Sequence, residues 1–318
     1  MSTKILFATD LHLRASRPIS RLDQNFFGTQ LDKIAEVREI AFDEKVDMVL
    51  LGGDIFDRPD VPHSVVIRAI RAFKKFKTVP VYSIVGNHDV YGYTSSTEDA
   101  SAIGTLFESG AVKKLPVLSR EGVTLYPLHA YDDNAWTVPP AAGVKILVAH
   151  KMITNISIPG ADCLLIKNID RETNADIVLS GDIHTPHLEH TDADHWFVNP
   201  GSLTRMSISD RERQPQVAIV NLADDGEIDC EFRSLGIRPS ETVFDLTSYS
   251  QRMAQETHAK DFVKTYVQAI VSVKAEAGDV GNAIIAMLEA NSFSDEVRKT
   301  VRAYLERTQK EVLVETEE

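Results

Sequence analysis

Asp10 and His12 follow an apolar run, KILFAT, with one residue between them, and Asp182 and His184 repeat that spacing after DIVLS. Alternate side chains of an extended chain point the same way, so each pair can face one spot. Three more apolar runs end in similar groups: DMVLLG leads to Asp54 and Asp57, VPVYSIV to Asn87, His88 and Asp89, and KILVA to His150. Carboxylates, an amide oxygen and imidazoles together make a ligand set for Mn, Fe, Zn or Mg. Taken singly, each group has a plainer reading: Asp10 as a turn former, His150 as a structural histidine. Polar chemistry at the end of every one of these apolar runs makes coincidence a poor account.

Such groups need a scaffold that gathers strand ends. The runs at 4–9, 47–52, 79–85, 145–149 and 176–180 predict strands. Segments 24–44 and 62–77 predict helices, since residues such as Val65, Ala69, Ile70 and Phe73 recur at helical spacing. Alternating strands and helices imply an α/β layered fold, in which ligands bind at the carboxyl ends of the strands. Segments 195–199, 216–222 and 228–235 have no helices between them and predict a mixed or antiparallel second sheet. Composition shifts near GIRPSE (236–241), and segments 281–290 and 294–312 read as helices. The expected organisation is a domain over 1–238 followed by a helical region over 239–318, which serves as a cap or docks a partner.

With 43% hydrophobic and 25% charged residues, the chain has the composition of a globular protein and not of a disordered one. No apolar stretch approaches the roughly 18 residues that a bilayer span needs, and MSTKILFATD lacks a signal-peptide pattern. Cys163 and Cys230 are too few for a disulfide framework and lack metal-ligand spacing. A cytoplasmic chain with no membrane partner is expected. The net charge of −13 argues against coating nucleic acid through the overall field. It leaves room for a local cationic site, and it omits the charge of any bound metal.

The ordered series Asp10-x-His12, Gly53-Asp54-x-x-Asp57, Gly86-Asn87-His88-Asp89, His150 and Gly181-Asp182-x-His184 resembles the calcineurin-like metallophosphoesterases over roughly residues 3–235. The resemblance implies a two-sheet sandwich flanked by helices, with a two-metal centre at the strand ends. FATDLHL, GGDIFDRPDVP and NPGSLTR (199–205) are, more narrowly, similar to the SbcD-type nucleases, subunits of DNA double-strand-break repair complexes. That likeness implies a two-metal-dependent DNA phosphodiesterase of repair, recombination or end processing, with DNA, an SbcC-type ATPase and a second copy of the chain as partners. Carried over by position, Asp10, His12 and His184 would hold one divalent ion and Asn87, His150 and Asp182 the other, with Asp54 bridging. His88 would protonate the leaving oxygen while Asp57 holds its ring. The family usually has histidine where Asp182 stands, and a carboxylate there shifts the expected metal toward Mn²⁺, with Mg²⁺ second.

Arginines suit phosphate because the guanidinium presents a planar pair of donors. Arg14, Arg17, Arg58 and Arg205 are the substrate candidates. His187 is the best placed of the remaining histidines to touch substrate, and His129, His190 and His195 read as structural or surface residues. Two other functions fit the same residues: a phosphomonoesterase or small-molecule phosphodiesterase, and a noncatalytic metal-binding subunit of an ATPase complex.

Overall fold

A computed structural model describes residues 2–250 other than Pro159 and Asp224, so the helices expected at 281–290 and 294–312 lie outside the described residues. The chain divides into Met1–Asp245 and Leu246–Glu318, and the first unit carries the candidate site. Its strands, in chain order, are β1 (Thr3–Ala8), β2 (Met48–Leu51), β3 (Val81–Ser83), β4 (Lys113–Lys114), β5 (Leu118–Arg120), β6 (Val123–Leu128), β7 (Val144–Ala149), β8 (Ile153–Thr154), β9 (Leu164–Leu165), β10 (Ile177–Ser180), β11 (His187–His190), β12 (Trp196–Asn199), β13 (Gln216–Leu222) and β14 (Ile228–Ser234). The helices are α1 (Phe26–Asp43), α2 (His63–Phe73), α3 (Ala102–Glu108), α4 (Ile166–Glu172) and α5 (Ser240–Val243).

Two six-stranded sheets form the centre, ordered β14-β13-β1-β2-β3-β4 and β11-β12-β10-β7-β6-β5, with β8 and β9 as a small separate pair. Strands β1 to β4 are mutually parallel, as are β6, β7, β10 and β12. Parallel strands buried on both faces read as continuous apolar runs. Ile5, Phe7, Leu50, Val148, Leu179 and Val198 pack between the sheets. The alternate residues Leu6, Val49 and Leu51 instead meet Ile34, Val37, Val65 and Ala69 of the helices. On the far side of the second sheet, Leu147, Val178 and Phe197 pack with Trp136, Ile166 and Ile169.

The late strands do not form a sheet of their own. β13 and β14 add antiparallel to β1 in the first sheet, while β12 joins β10 in the second. Strand propensity alone does not select an edge. β1 and β10 each offered an open side, and the inward residues Ala218 and Val220 fit the shared core. The second sheet instead gains β6, whose TLYPL segment contains a proline.

Helix α1 starts where the Asn25 side chain accepts from the Gly28 amide at 3.0 Å, an N-cap bond. It ends as Lys45 turns to φ 54° and the Val46 amide returns to Ala41 O at 3.0 Å. Beyond β14, Leu22 N donates to Val243 O at 2.8 Å and Asp245 N to Ser20 O at 3.0 Å. Residues 239–245 are thereby fastened to the loop after β1.

Candidate metal centre

Parallel strands put their carboxyl ends on one edge, and both sheets bring that edge to the same place. Asp10 and His12 leave β1, Asp54 leaves β2, Asn87 and His88 leave β3, His150 ends β7, and Asp182 and His184 follow β10. Each chain must turn abruptly there. Asp10 (φ 53°), His12 (φ 46°), Asp54 (φ 51°) and Asp182 (φ 74°) all take the left-handed conformation, which non-glycine residues adopt at a cost. Gly86 lies so close to Asp54 that an added Cβ would fall within 3.0 Å of its amide nitrogen and its carboxylate. Only glycine fits between those two loops.

The expected ligands converge. His12 Nε2 lies 3.0 Å from His184 Nε2 and 3.8 Å from Asp10 Oδ1, and His184 Nε2 is 4.0 Å from the same oxygen. On the other side, His150 Nε2 lies 2.8 Å from Asn87 Oδ1 and 4.0 Å from Asp182 Oδ1. Asp54 stands between, with Oδ2 3.6 Å from His12 Nε2 and Oδ1 3.5 Å from His150 Nε2. Asp10, Asp54 and His150 are at most 2% exposed and His12 is 4% exposed.

These contacts fit a divalent ion. His150 Nδ1 lies 2.6 Å from Gly52 O; a carbonyl only accepts, so Nδ1 carries the hydrogen and Nε2 turns its lone pair inward, the arrangement of metal-ligating histidines. Two acceptors, that Nε2 and Asn87 Oδ1, then sit 2.8 Å apart and need positive charge between them. The buried Asp10 carboxylate needs it too. Burial, reinforced by the Asp54 and Asp182 charges and opposed by His150, pushes Asp10 up to about 7. Burial also opposes a charged His150, yet Asp54, Asp10 and Asp182 outweigh it and carry that ring up to about 10. Without a cation, Asp10 and His150 are both drawn toward their protonated forms.

His88 is placed differently from its expected partner. Its Nδ1 donates to the main-chain oxygen of Asp57 at 2.8 Å, while the Asp57 carboxylate accepts from Arg14 Nη1 at 3.0 Å. The ring is therefore held by backbone and not by the Asp57 side chain as the sequence suggested. His88 also stands with His12 and Asp54, their ligand atoms within 4.8 Å of one another. Burial opposes protonation of His88, but the Asp54 charge, the main-chain bond and the nearby Asp57 carboxylate together raise its pKa above the ordinary value. Its ring centroid lies 4.9 Å from that of His12.

Of the candidate arginines, Arg14 stands beside this acid loop. Arg58 is exposed and pairs with Asp60 at 3.2 Å, and Arg17 donates to Asp23 O at 3.4 Å. Arg205 is a correction. It is 4% exposed and its guanidinium donates to Arg211 O and Arg238 O, each at 2.6 Å. Those bonds fasten the 236–240 segment and leave it no aim at phosphate. Closeness in sequence to Asp182 and His184 did not fix where the side chain pointed.

Three supports carried no readable signal, and a fourth, Asp89, carried a faint one. Gln30 Nε2 donates to Leu11 O and His12 O at 3.0 and 2.7 Å. Asp89 accepts from Phe56 N and Gly86 N, both at 2.9 Å, tying the β2 and β3 loops. Asn199 Nδ2 holds Ile183 O at 2.9 Å, and Arg213 clamps Ser202 O and Thr204 O at 2.6 and 2.7 Å. Apart from the bond of Asp89 to Gly86 N, each acts on main-chain atoms nine or more residues away in sequence. Only Asp89, adjoining the NH pair, could have been suspected. His129 Nδ1 accepts from Val85 N at 3.0 Å, a structural bond. His187 sits on β11, its Nε2 buried without a hydrogen-bond partner.

Among proteins of known family, the profile described as calcineurin-like phosphoesterase matches residues 3–186. A protein of Methanosarcina acetivorans named DNA double-strand break repair protein Mre11 is 24% identical over 234 residues, which is 70% of this chain and 37% of that protein. Its namesake from Aeropyrum pernix is 26% identical over 255 residues, 71% of this chain and 59% of that one. The chain thus spans less than two thirds of either relative. Among solved structures, the protein TT1561 of Thermus thermophilus aligns with 73% of this chain and 99% of its own, at TM-score 0.45 and 12% identity. A dimetal phosphatase from Danio rerio aligns over 73% and 96%, at TM-score 0.47 and 11% identity. No helix among the described residues is long and apolar enough to cross a membrane. The profile covers more than half of the sequence, including Asp10, Asp54, His88, His150 and Asp182 in order, and the chain belongs to the calcineurin-like phosphoesterase family.

Proposed function

We propose that the chain is a metal-dependent DNA phosphodiesterase of the SbcD type, acting in DNA repair, recombination or end processing. The observation that carries this is the join between two features: a buried Asp and His cluster with room for cations, and an exposed imidazole whose Nδ1 is committed to a main-chain oxygen. The relatives named as DNA double-strand break repair proteins support DNA as the substrate. Divalent ions in the cluster would neutralise charge on the phosphoryl oxygens and activate water.

Asp10, His12 and His184 are assigned to one ion, Asn87, His150 and Asp182 to the other, and Asp54 to both. Asp182 makes Mn²⁺ the favoured ion and Mg²⁺ the second. His88 gives a proton from Nε2 to the departing sugar oxygen, with Nδ1–H anchored on Asp57 O. Arg14 and Arg58 lie on the loops flanking that step and would steady adjoining phosphates without reading sequence. An SbcC-type ATPase and a second copy of the chain are the proposed protein partners.

The test is metal-stripped protein incubated with end-labelled linear and single-stranded DNA, with and without Mn²⁺, beside His88→Ala. Metal-dependent cleavage that the variant loses supports the reading. Hydrolysis of phosphomonoesters or small diesters with DNA left intact overturns it in favour of another phosphoester. Metal titration of Asp182→His tests the choice of ion, and unchanged preference and affinity would remove that role from Asp182.

A further inference from the structure

Within an acidic chain of net charge −13, one described segment is densely cationic. The segment VIRAIRAFKKFK, residues 66–77, holds Arg68, Arg71, Lys74, Lys75 and Lys77, all exposed. Arg68, Arg71 and Lys75 are spaced three and four residues apart, so they form one stripe along α2 and the turn that extends it. At 1.5 Å per residue the stripe is about 10 Å long. It borders a groove of about 480 Å³ between α1 and α2, whose other wall includes Asn25, Asp32 and Arg38. Four cations thus face one carboxylate.

Lysines and arginines at a helix carboxyl end are ordinary, because they offset the helix dipole. That accounts for Arg71 and the three lysines. It does not account for Arg68, in the middle of α2, or for Arg38 on the opposite helix. Little of this charge is neutralised by the protein itself. Arg68 lies over the Phe27 ring at 4.7 Å, and Arg38 reaches the exposed Glu39 at 3.4 Å. Among the described residues, no carboxylate pairs with Arg68, Arg71, Lys74, Lys75 or Lys77. Several other cations of the unit are paired with carboxylates: Lys33 with Glu36, Arg21 with Asp23 and Arg233 with Glu44.

We infer that the α1–α2 groove is a second polyanion site, separate from the metal centre, and that it holds the phosphate backbone of DNA. The reading rests on the proposed DNA phosphodiesterase function. A strand of duplex DNA advances about 3.4 Å per phosphate, so the stripe matches about three phosphates of one strand. Helix α1 links the two places, because its Gln30 holds the His12 loop while Asp32, two residues on, lines the groove. The groove serves to grip DNA away from the bond being cut.

The experiment is equilibrium binding of a labelled duplex in EDTA, so that cleavage plays no part, over a series of salt concentrations. Each phosphate contact adds about 0.9 to the slope of log K against log salt, and about 0.9 of a decade in affinity at 0.1 M salt. Arg68→Ala/Arg71→Ala/Lys75→Ala should therefore bind about two to three decades more weakly, with the slope reduced by about 2.7. Arg68→Lys/Arg71→Lys, which keeps the charge, should retain the slope, and thermal melts check that both variants fold. Wild-type affinity and slope in the folded triple variant would overturn the inference, as would wild-type protein that does not bind DNA. Displacement by polyglutamate as effective as by DNA of equal charge would replace the nucleic acid with an acidic peptide and also overturn it. Groove-dependent DNA binding by a protein that cuts no DNA with any metal would uphold the groove and sink the nuclease reading.

Discussion

Replacing Asp57 by asparagine separates two accounts of the acid catalyst. If the carboxylate orients His88, losing its charge should be as damaging as losing the ring. In the structure the ring is held by the Asp57 main-chain oxygen at 2.8 Å, which Asp57→Asn leaves in place. What disappears is the charge paired with Arg14 at 3.0 Å, between side chains that are 27% and 21% exposed, together with that charge's smaller share, behind Asp54 and the main-chain bond, in raising the His88 pKa. A partly exposed pair of this kind contributes about 0–1 kcal/mol, and about 1 kcal/mol of barrier corresponds to about fivefold in rate. Asp57→Asn should thus lower kcat on an oligonucleotide less than about fivefold, whereas His88→Ala should lower it about 10²–10⁴-fold, the usual range for a general acid. A nucleotide p-nitrophenyl ester, whose leaving group departs without a proton, should shrink the His88→Ala loss and leave Asp57→Asn unchanged. Asp57→Asn as slow as His88→Ala on the oligonucleotide, in a folded and metal-loaded protein, would refute the main-chain account.

Gly86→Ala should destabilise by about 1–3 kcal/mol and impair metal binding, since the new methyl meets Asp54; thermal melts and metal titration read both effects. Arg205→Ala should cost about 2–3 kcal/mol in urea unfolding, because carbonyls that it serves lose a charged donor, and it should leave the KM of the folded enzyme unaltered. Asp23 is held below the usual carboxylate range: burial acts to raise it, but bonds and charge from Arg21, with Thr29 and Arg238, outweigh that. Its contribution is complete above the unfolded value of about 3.9 and is lost as pH falls through the lower native value. Urea stability of Asp23→Asn should accordingly lie below wild type near neutrality and converge with it in acid, and parallel curves would count against the assignment. Mn²⁺ added to chelated protein at about a hundredfold over Kd should stabilise it by about 2.7 kcal/mol, and Asp10→Ala should abolish the rise in Tm.

The gathering of the candidate ligands was legible because its signal is local: an apolar run that stops at Asp10, Asp54, Asn87, His150 or Asp182 marks a strand end, and parallel packing does the rest. Helices α1 and α2 were equally plain from periodicity. The partition of strands was not, because β12 and β13 have the same apolar character and differ only in which edge accepts them. Arg205 was misread for a related reason, since its direction is set by carbonyls at 211 and 238. Gln30, Asn199 and Arg213 were invisible for the same cause. A side chain whose partner is a distant main-chain atom leaves no pattern in its own neighbourhood.

The left-handed backbone at Asp10, His12, Asp54 and Asp182 also bears on how the sequence can drift. Asparagine tolerates this conformation better than most residues, and it would relieve the crowding of buried negative charge as well. Selection for a higher melting temperature alone would therefore favour asparagine at the aspartates of this cluster, exchanging carboxylates for neutral amides. Sequence variants enriched by heat challenge should lose their appetite for divalent ions before they lose their shape. The three aspartate positions act as a gauge of which pressure a lineage has been under.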